Sequence, residues 1–216
     1  MLRVSIDTKA TVAIGPFSRG GQSRVDVKAA DHDFKPDAVL NPVGIFLPDL
    51  GETYLYFVTS KVTSDCLVDC LTLFWQTACP CFPHVTTLLI NQDNGPESHS
   101  RRTQFIQRMV EFVDTSHMTA QLAYYPPYHS KYNPIERVWG GLEQHWNGSL
   151  LDTIDTALYF AQTMTWRGRH PLVHLITQPY PIGIRLTQRA MRQLEQRLER
   201  LPTLPKWFVR IAPQLV

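Results

Sequence analysis

The sequence predicts an α/β fold, a mixed sheet flanked by helices, and three observations predict it. Period-two apolar segments come first, helical and strand-like segments then alternate, and the closing stretches are helical. Its 216 residues suffice for one substantial core. With 44% hydrophobic and 19% charged residues, the chain is composed to fold and not to remain a disordered tail.

The first segment alternates: Val4, Ile6, Ala10, Val12 and Ile14 share one face, and Ser5, Asp7, Lys9 and Thr11 the other. That is a strand with one buried face, ended by Gly15, Pro16, Gly20 and Gly21. A second short strand is expected over 24–29, then a loop rich in proline and glycine over 31–52. Residues 53–59 (TYLYFVT) carry the aromatic content of a strand. A helix is predicted over 64–77, with Leu67, Cys70, Leu71 and Phe74 as its apolar stripe. Residues 85–90 read as a buried central strand, closed by the polar turn Asn91-Gln92-Asp93-Asn94-Gly95-Pro96. A helix over 100–113 and a strand over 119–125 follow. Asn133-Pro134 has the residue types of a helix start. Ile135, Val138, Trp139, Leu142 and Trp146 give the next helix its buried stripe, so both tryptophans are expected in the core. Further helices are predicted over 151–165 and 187–201.

The net charge of +2 neither demands nor excludes a nucleic-acid partner. No run of about eighteen apolar residues occurs, so no membrane span is expected. The N-terminus lacks a signal-peptide layout, and a cytoplasmic location is expected. Cys66, Cys70, Cys79 and Cys81 match no common zinc spacing and read as buried thiols.

Three carboxylates stand out by position. Asp7 lies on the polar face of the first strand, Asp93 just past the end of a buried strand, and Glu136 in the first turn of a helix. Ligand sites in open α/β sheets lie outside strand ends. Taken singly, each has an ordinary reading: an exposed strand residue, a turn starter and half of a capping box with Asn133. Together, three carboxylates repel one another unless a cation neutralises them. Their hard oxygens suit Mg²⁺ or Mn²⁺, and two such ions about 4 Å apart can run phosphoryl transfer. No Gly-x-Ser-x-Gly nucleophile motif supports a hydrolase of another kind.

These stretches carry a resemblance. Ser5-Ile6-Asp7-Thr8-Lys9, Leu89-Ile90-Asn91-Gln92-Asp93-Asn94-Gly95 and the run from Tyr125 to Glu136 (YPPYHSKYNPIE) resemble the three catalytic blocks of DDE transposases, most closely the ISAzo13 family of insertion sequences. His32-Asp33-Phe34, Gln144-His145-Trp146-Asn147-Gly148 and Tyr180-Pro181-Ile182-Gly183-Ile184 resemble further blocks of that family. The resemblance implies an RNase H-like fold with Asp7, Asp93 and Glu136 as catalytic metal ligands for two Mg²⁺ or Mn²⁺ ions. It implies cleavage of transposon ends and joining to target DNA, in a homo-oligomeric complex in the bacterial cytosol, on the nucleoid. Lys9, His32, Asn94, His129, Lys131 and Asn133 would support the site or contact DNA phosphate; Asn133 can equally be a helix cap, and Lys131 a solvated loop residue. Arg101, Arg102, Arg167, Arg169, His170, Arg189, Arg192, Arg197 and Arg200 support DNA contact weakly, as a solvated face is the ordinary reading.

The expected division is a catalytic core over 1–150 and a C-terminal helical extension over 151–216 packed on it. Family members resemble longer chains with an N-terminal helix-turn-helix region, which is expected to be absent here. Two alternatives share the fold: a truncated, inactive fragment that only binds DNA or a partner, and an RNase H-like nuclease.

Overall fold

The computed structural model describes residues 1–20, 29, 35–126 and 129–214. Among them, nine strands form a mixed sheet. They are β1 (Leu2–Thr8), β2 (Val12–Ile14), β3 (Ala38–Leu47), β4 (Glu52–Val58), β5 (Thr87–Asp93), β6 (Thr119–Tyr125), β7 (Leu172–Ile176), β8 (Leu198–Arg200) and β9 (Phe208–Ile211). The order is β7-β4-β3-β1-β5-β6-β9-β8, with β2 added on β3. At the centre β1, β5 and β6 run parallel, while β3 is antiparallel to both β1 and β4.

Helices cover both faces. On one lie α1 (Ser64–Ala78) and α2 (Thr103–Ser116), packed with Val4, Ile6, Tyr54, Tyr56, Leu88 and Ile90. On the other lie α3 (Ile135–Trp146) and α4 (Ile154–Thr163), packed with Val12, Ile14, Phe46, Leu55 and Phe57. Double coverage explains why β4 reads as an unbroken apolar run: Tyr54, Tyr56 and Val58 enter one core, Leu55 and Phe57 the other. It also corrects the one-faced reading of the first segment. The chain leaves β1 after Thr8, with the Lys9 amide donating to the Pro42 carbonyl at 2.9 Å, and re-enters as β2. Val4 and Ile6 therefore pack under α1 and α2, while Val12 and Ile14 pack under α3 and α4. The polar residues Ser5 and Asp7 lie beneath α3 and not toward solvent.

Four further expectations change. The segment 31–52 contains the central strand β3, whose Pro42 and Gly44 disguise it. The strand at β5 runs on to Asp93. The last helix, α5 (Gln188–Glu195), is shorter than expected, because Leu198–Arg200 pairs with β9 instead. The C-terminal region is not all helical: β7 joins one edge of the sheet through β4, and β9 the other through β6. Edge pairing uses the backbone donors and acceptors that β4 and β6 would otherwise leave open. The strand expected over 24–29, save Ala29, and the His32-Asp33-Phe34 block lie outside the described residues. Cys66 and Cys70 are buried as expected, but Cys79 is half-buried and Cys81 exposed.

Candidate active site

Parallel pairing of β1 with β5 sets two of the carboxylates. Ser5 registers with Asn91, and Asp7 and Asp93 each follow two residues later on their strands. A two-residue step keeps the face, so both carboxylates look toward α3 at the carboxyl ends of adjacent strands. Both are half-buried.

Glu136 arrives on α3, and β1 itself anchors that helix. The Ser5 hydroxyl accepts from the Ile135 amide at 3.1 Å and donates to the Asn133 side-chain carbonyl. The Asn133 amide group donates to the Ile6 carbonyl at 3.0 Å. Ser5 and Asn133 are 0% and 1% exposed, so these bonds are made away from water. Asn133 is thus not the helix cap the sequence suggested. Pro134 occupies that position without a side-chain bond, and the hydroxyl of a neighbouring strand takes over one unsatisfied amide of the first turn.

Close approach of α3 depends on Gly44, which pairs with Asp7 across β1 and β3. A Cβ on Gly44 would lie 2.5 Å from Trp139 Cζ2. The vacant space lets the Trp139 ring lie on the strand, where its Nε1 donates to Asp7 Oδ2 at 3.3 Å. Trp139 and Trp146 are both core residues as expected, and Trp139 also touches the site.

The electrostatics are those of crowded carboxylates. Burial first, then the charge of Glu136 and that of Asp93, push Asp7 up to about 7. Glu136 is raised by burial and by Asp93, against opposing effects of Lys9 and of a hydrogen bond with Asp7. Asp93 is raised by burial. Glu136 and Asp93 thus act on Asp7 through their charge, and Asp93 acts likewise on Glu136. One tight cluster was expected; among the described residues, no three His, Cys, Asp or Glu side chains are gathered closely enough to hold an ion as they stand. The donor set nevertheless fits a hard divalent cation. All three groups offer oxygen, all three are destabilised by ionising without a counter-charge, and Asp93 Oδ1 is buried with no hydrogen-bond partner. A cavity of about 140 Å³ opens beside Asp7 and Asp93, walled by Thr8, Gln92, Gly95 and Pro96.

The supporting residues divide. Lys9 forms an ion pair with Glu143 Oε1 at 2.5 Å. Asn94 Oδ1 accepts from the Ser100 amide at 3.3 Å, fixing the loop after Asp93. That loop is held further by Ser98 Oγ on the Asp93 carbonyl, Ser64 Oγ on the Glu97 carbonyl and Tyr124 OH on the Ser98 carbonyl. His129 stacks on Tyr132, and Lys131 Nζ lies 5.3 Å from the same ring. His32 falls outside the described residues. Several candidate DNA-contacting arginines are used internally: Arg197 holds Asp114 with two bonds, Arg200 holds Glu195 and the Ser100 carbonyl, and Arg169 pairs with Glu52. Arg101, Arg189 and Arg192 are exposed. Ser5, Gly44 and Glu143 were not singled out as site residues. Gly44 carried a signal, since glycine inside a strand often marks a close backbone approach.

The fold and site define an RNase H-like domain that presents acidic residues at the carboxyl ends of its central strands. The chain belongs to the family described as Rhodopirellula transposase DDE domain, which matches residues 2–213. Among solved structures it is similar to the Mos1 transposase paired-end complex with left transposon end, at TM-score 0.52 and 12% identity over 71% of this chain and 44% of that one. It is also similar to the Mos1 mariner paired end complex with Mn, at TM-score 0.51 and 12% identity over 71% and 45% of the two chains. The chain spans less than half the length of these solved relatives. Comparison with curated proteins gave no match.

Proposed function

We propose that this chain is the catalytic domain of an insertion-sequence transposase that cleaves DNA strands and joins them to a target, with Asp7, Asp93 and Glu136 as the catalytic carboxylates. The observation that carries the reading is the placement of Asp7 and Asp93 on one face beyond the ends of two parallel strands, with Glu136 in the first turn of a helix anchored on β1. Residues 1–150 would form the core and 151–216 an extension packed on it. The substrate is DNA, both transposon ends and target, handled by a homo-oligomer in the bacterial cytosol. No described helix is long and apolar enough to cross a membrane.

Asp7, Asp93 and Glu136 would hold divalent cations, Mg²⁺ or Mn²⁺, two in number. Such a pair activates an attacking oxygen and stabilises a leaving one. The protein's own share is positioning. Ser5 and Asn133 fix the start of α3 on β1, and with it the turn that bears Glu136. Trp139, itself buried, donates to the Asp7 carboxylate and so orients it. The pinned loop 94–100 holds the strand end that bears Asp93. Groups held in place before reaction lower the barrier by removing reorganisation.

The test is nicking and strand transfer on plasmid DNA with Mg²⁺ or Mn²⁺. The chain is expected to act only with the metal, and Asp7→Asn, Asp93→Asn and Glu136→Gln are each expected to fall to background. Wild-type rates in any of the three would overturn the assignment.

A further inference from the structure

Beside the carboxylates, two cations share a single anion. Glu143 lies on α3, seven residues beyond Glu136, or about 10 Å along the helix axis. Its Oε1 takes Lys9 Nζ at 2.5 Å and Arg19 Nη2 at 2.8 Å, and its Oε2 takes Arg19 Nη2 at 2.9 Å. Arg19 also lies over the Trp146 ring, with its guanidinium carbon 5.0 Å from the centroid, so it is held in one orientation. The side chains of Lys9 and Arg19 are 13% and 17% exposed, while Glu143 is 34% exposed. The group is therefore a preformed double cation with one unit of positive charge in excess, in which all three side chains keep some exposure to water, Glu143 the most. Lys9 has two further N–H groups, and Arg19 has Nη1, beyond those given to Glu143.

We propose that Lys9 and Arg19, braced by Glu143, form a binding subsite for a backbone phosphate of the DNA strand that enters the carboxylate site. This rests on the transposase reading above. Lys9 follows Asp7 by two residues, so the subsite adjoins the carboxylates. Two fixed donors suit a phosphate better than mobile lysines would, because little side-chain freedom is lost on binding. Glu143 keeps the two like charges together while DNA is absent and lowers the affinity when DNA is present.

The test measures binding of a short duplex by fluorescence anisotropy in Ca²⁺, from 50 to 200 mM salt. The variants are Lys9→Gln, Arg19→Gln and Glu143→Gln, with Arg210→Ala as an equal loss of one charge on β9. Each loss of a subsite cation is expected to reduce the slope of log K against log salt by about 0.9, and Arg210→Ala to leave it unchanged. Glu143→Gln is expected to tighten binding about threefold at low salt. Thermal melts identify any variant that fails to fold, and Lys9→Arg, which keeps charge and reach, is expected to retain the wild-type slope. Slopes for Lys9→Gln and Arg19→Gln equal to that of Arg210→Ala would overturn the subsite. A wild-type chain that binds no DNA would instead overturn the transposase reading on which it rests.

Discussion

Gly44→Ala adds one methyl group where α3 meets the sheet. Its Cβ would lie 2.5 and 2.6 Å from Trp139 Cζ2 and Cη2, and 2.9 Å from Ile135 Cδ1. Carbon atoms rest about 3.5–4.0 Å apart, so the ring and the first turn of α3 must withdraw by about 1 Å. Overpacking of this kind costs about 1–3 kcal/mol, offset by about 0.5–1 kcal/mol because alanine restricts the unfolded chain more than glycine. The net expectation is a loss of about 1–2 kcal/mol in denaturant unfolding. The effect on activity is larger, because Glu136 sits on the displaced turn and a 1 Å misplacement costs on the order of 100-fold. The assays are urea unfolding and plasmid nicking. Trp139→Phe removes the clashing ring atoms, so the double variant is expected to be more stable than the sum of the two single losses. Wild-type stability and rate in Gly44→Ala, or strict additivity in the double variant, would refute the reasoning.

Ser5→Ala removes a buried hydroxyl that serves both Asn133 and the Ile135 amide. It is expected to cost about 2–3 kcal/mol and to lower kcat more than it raises KM, whereas Ser5→Thr, which keeps the hydroxyl, retains most of both; equal stability of Ser5→Ala and wild type would remove Ser5 from the account. The metal-free domain is expected to lose stability as pH rises. Asp7 is pushed up to about 7 in the fold from 3.8, so between those values the folded state holds a proton that the unfolded state has released. Thermal melts without metal should therefore fall from pH 4 to pH 7, and Asp7→Asn should flatten that decline; an identical decline in the variant would contradict the shift.

Much of the fold was legible because its strands and helices keep their own periods. Helix α1 and strands β4 and β6 lie within a residue or two of where their patterns put them. The strand β3 was hidden because Pro42 and Gly44 mark loops in isolation, whereas here Gly44 is the gap that seats Trp139. The last helix was overextended because Leu198 continues an apolar stripe, yet pairing with β9 prevails. At the site, the strand ends and the helix start that carry Asp7, Asp93 and Glu136 were legible, but not their spacing: among the described residues no three acidic side chains are gathered closely enough to hold an ion as they stand. Asn133 has the residue type of a cap, and only the burial of Ser5 beneath α3 shows why its side chain turns to β1. Long-range pairs such as Lys9 with Glu143 have no local signal, since they join segments far apart in the chain.

The central claim is that three acidic residues form one divalent-cation site, and anomalous diffraction from crystals grown with Mn²⁺ tests it most directly. The account predicts manganese peaks contacted by oxygens of Asp7, Asp93 and Glu136 together, and none in Asp93→Asn. Manganese bound elsewhere, or held by Asp7 and Glu136 with no contact from Asp93, would contradict it.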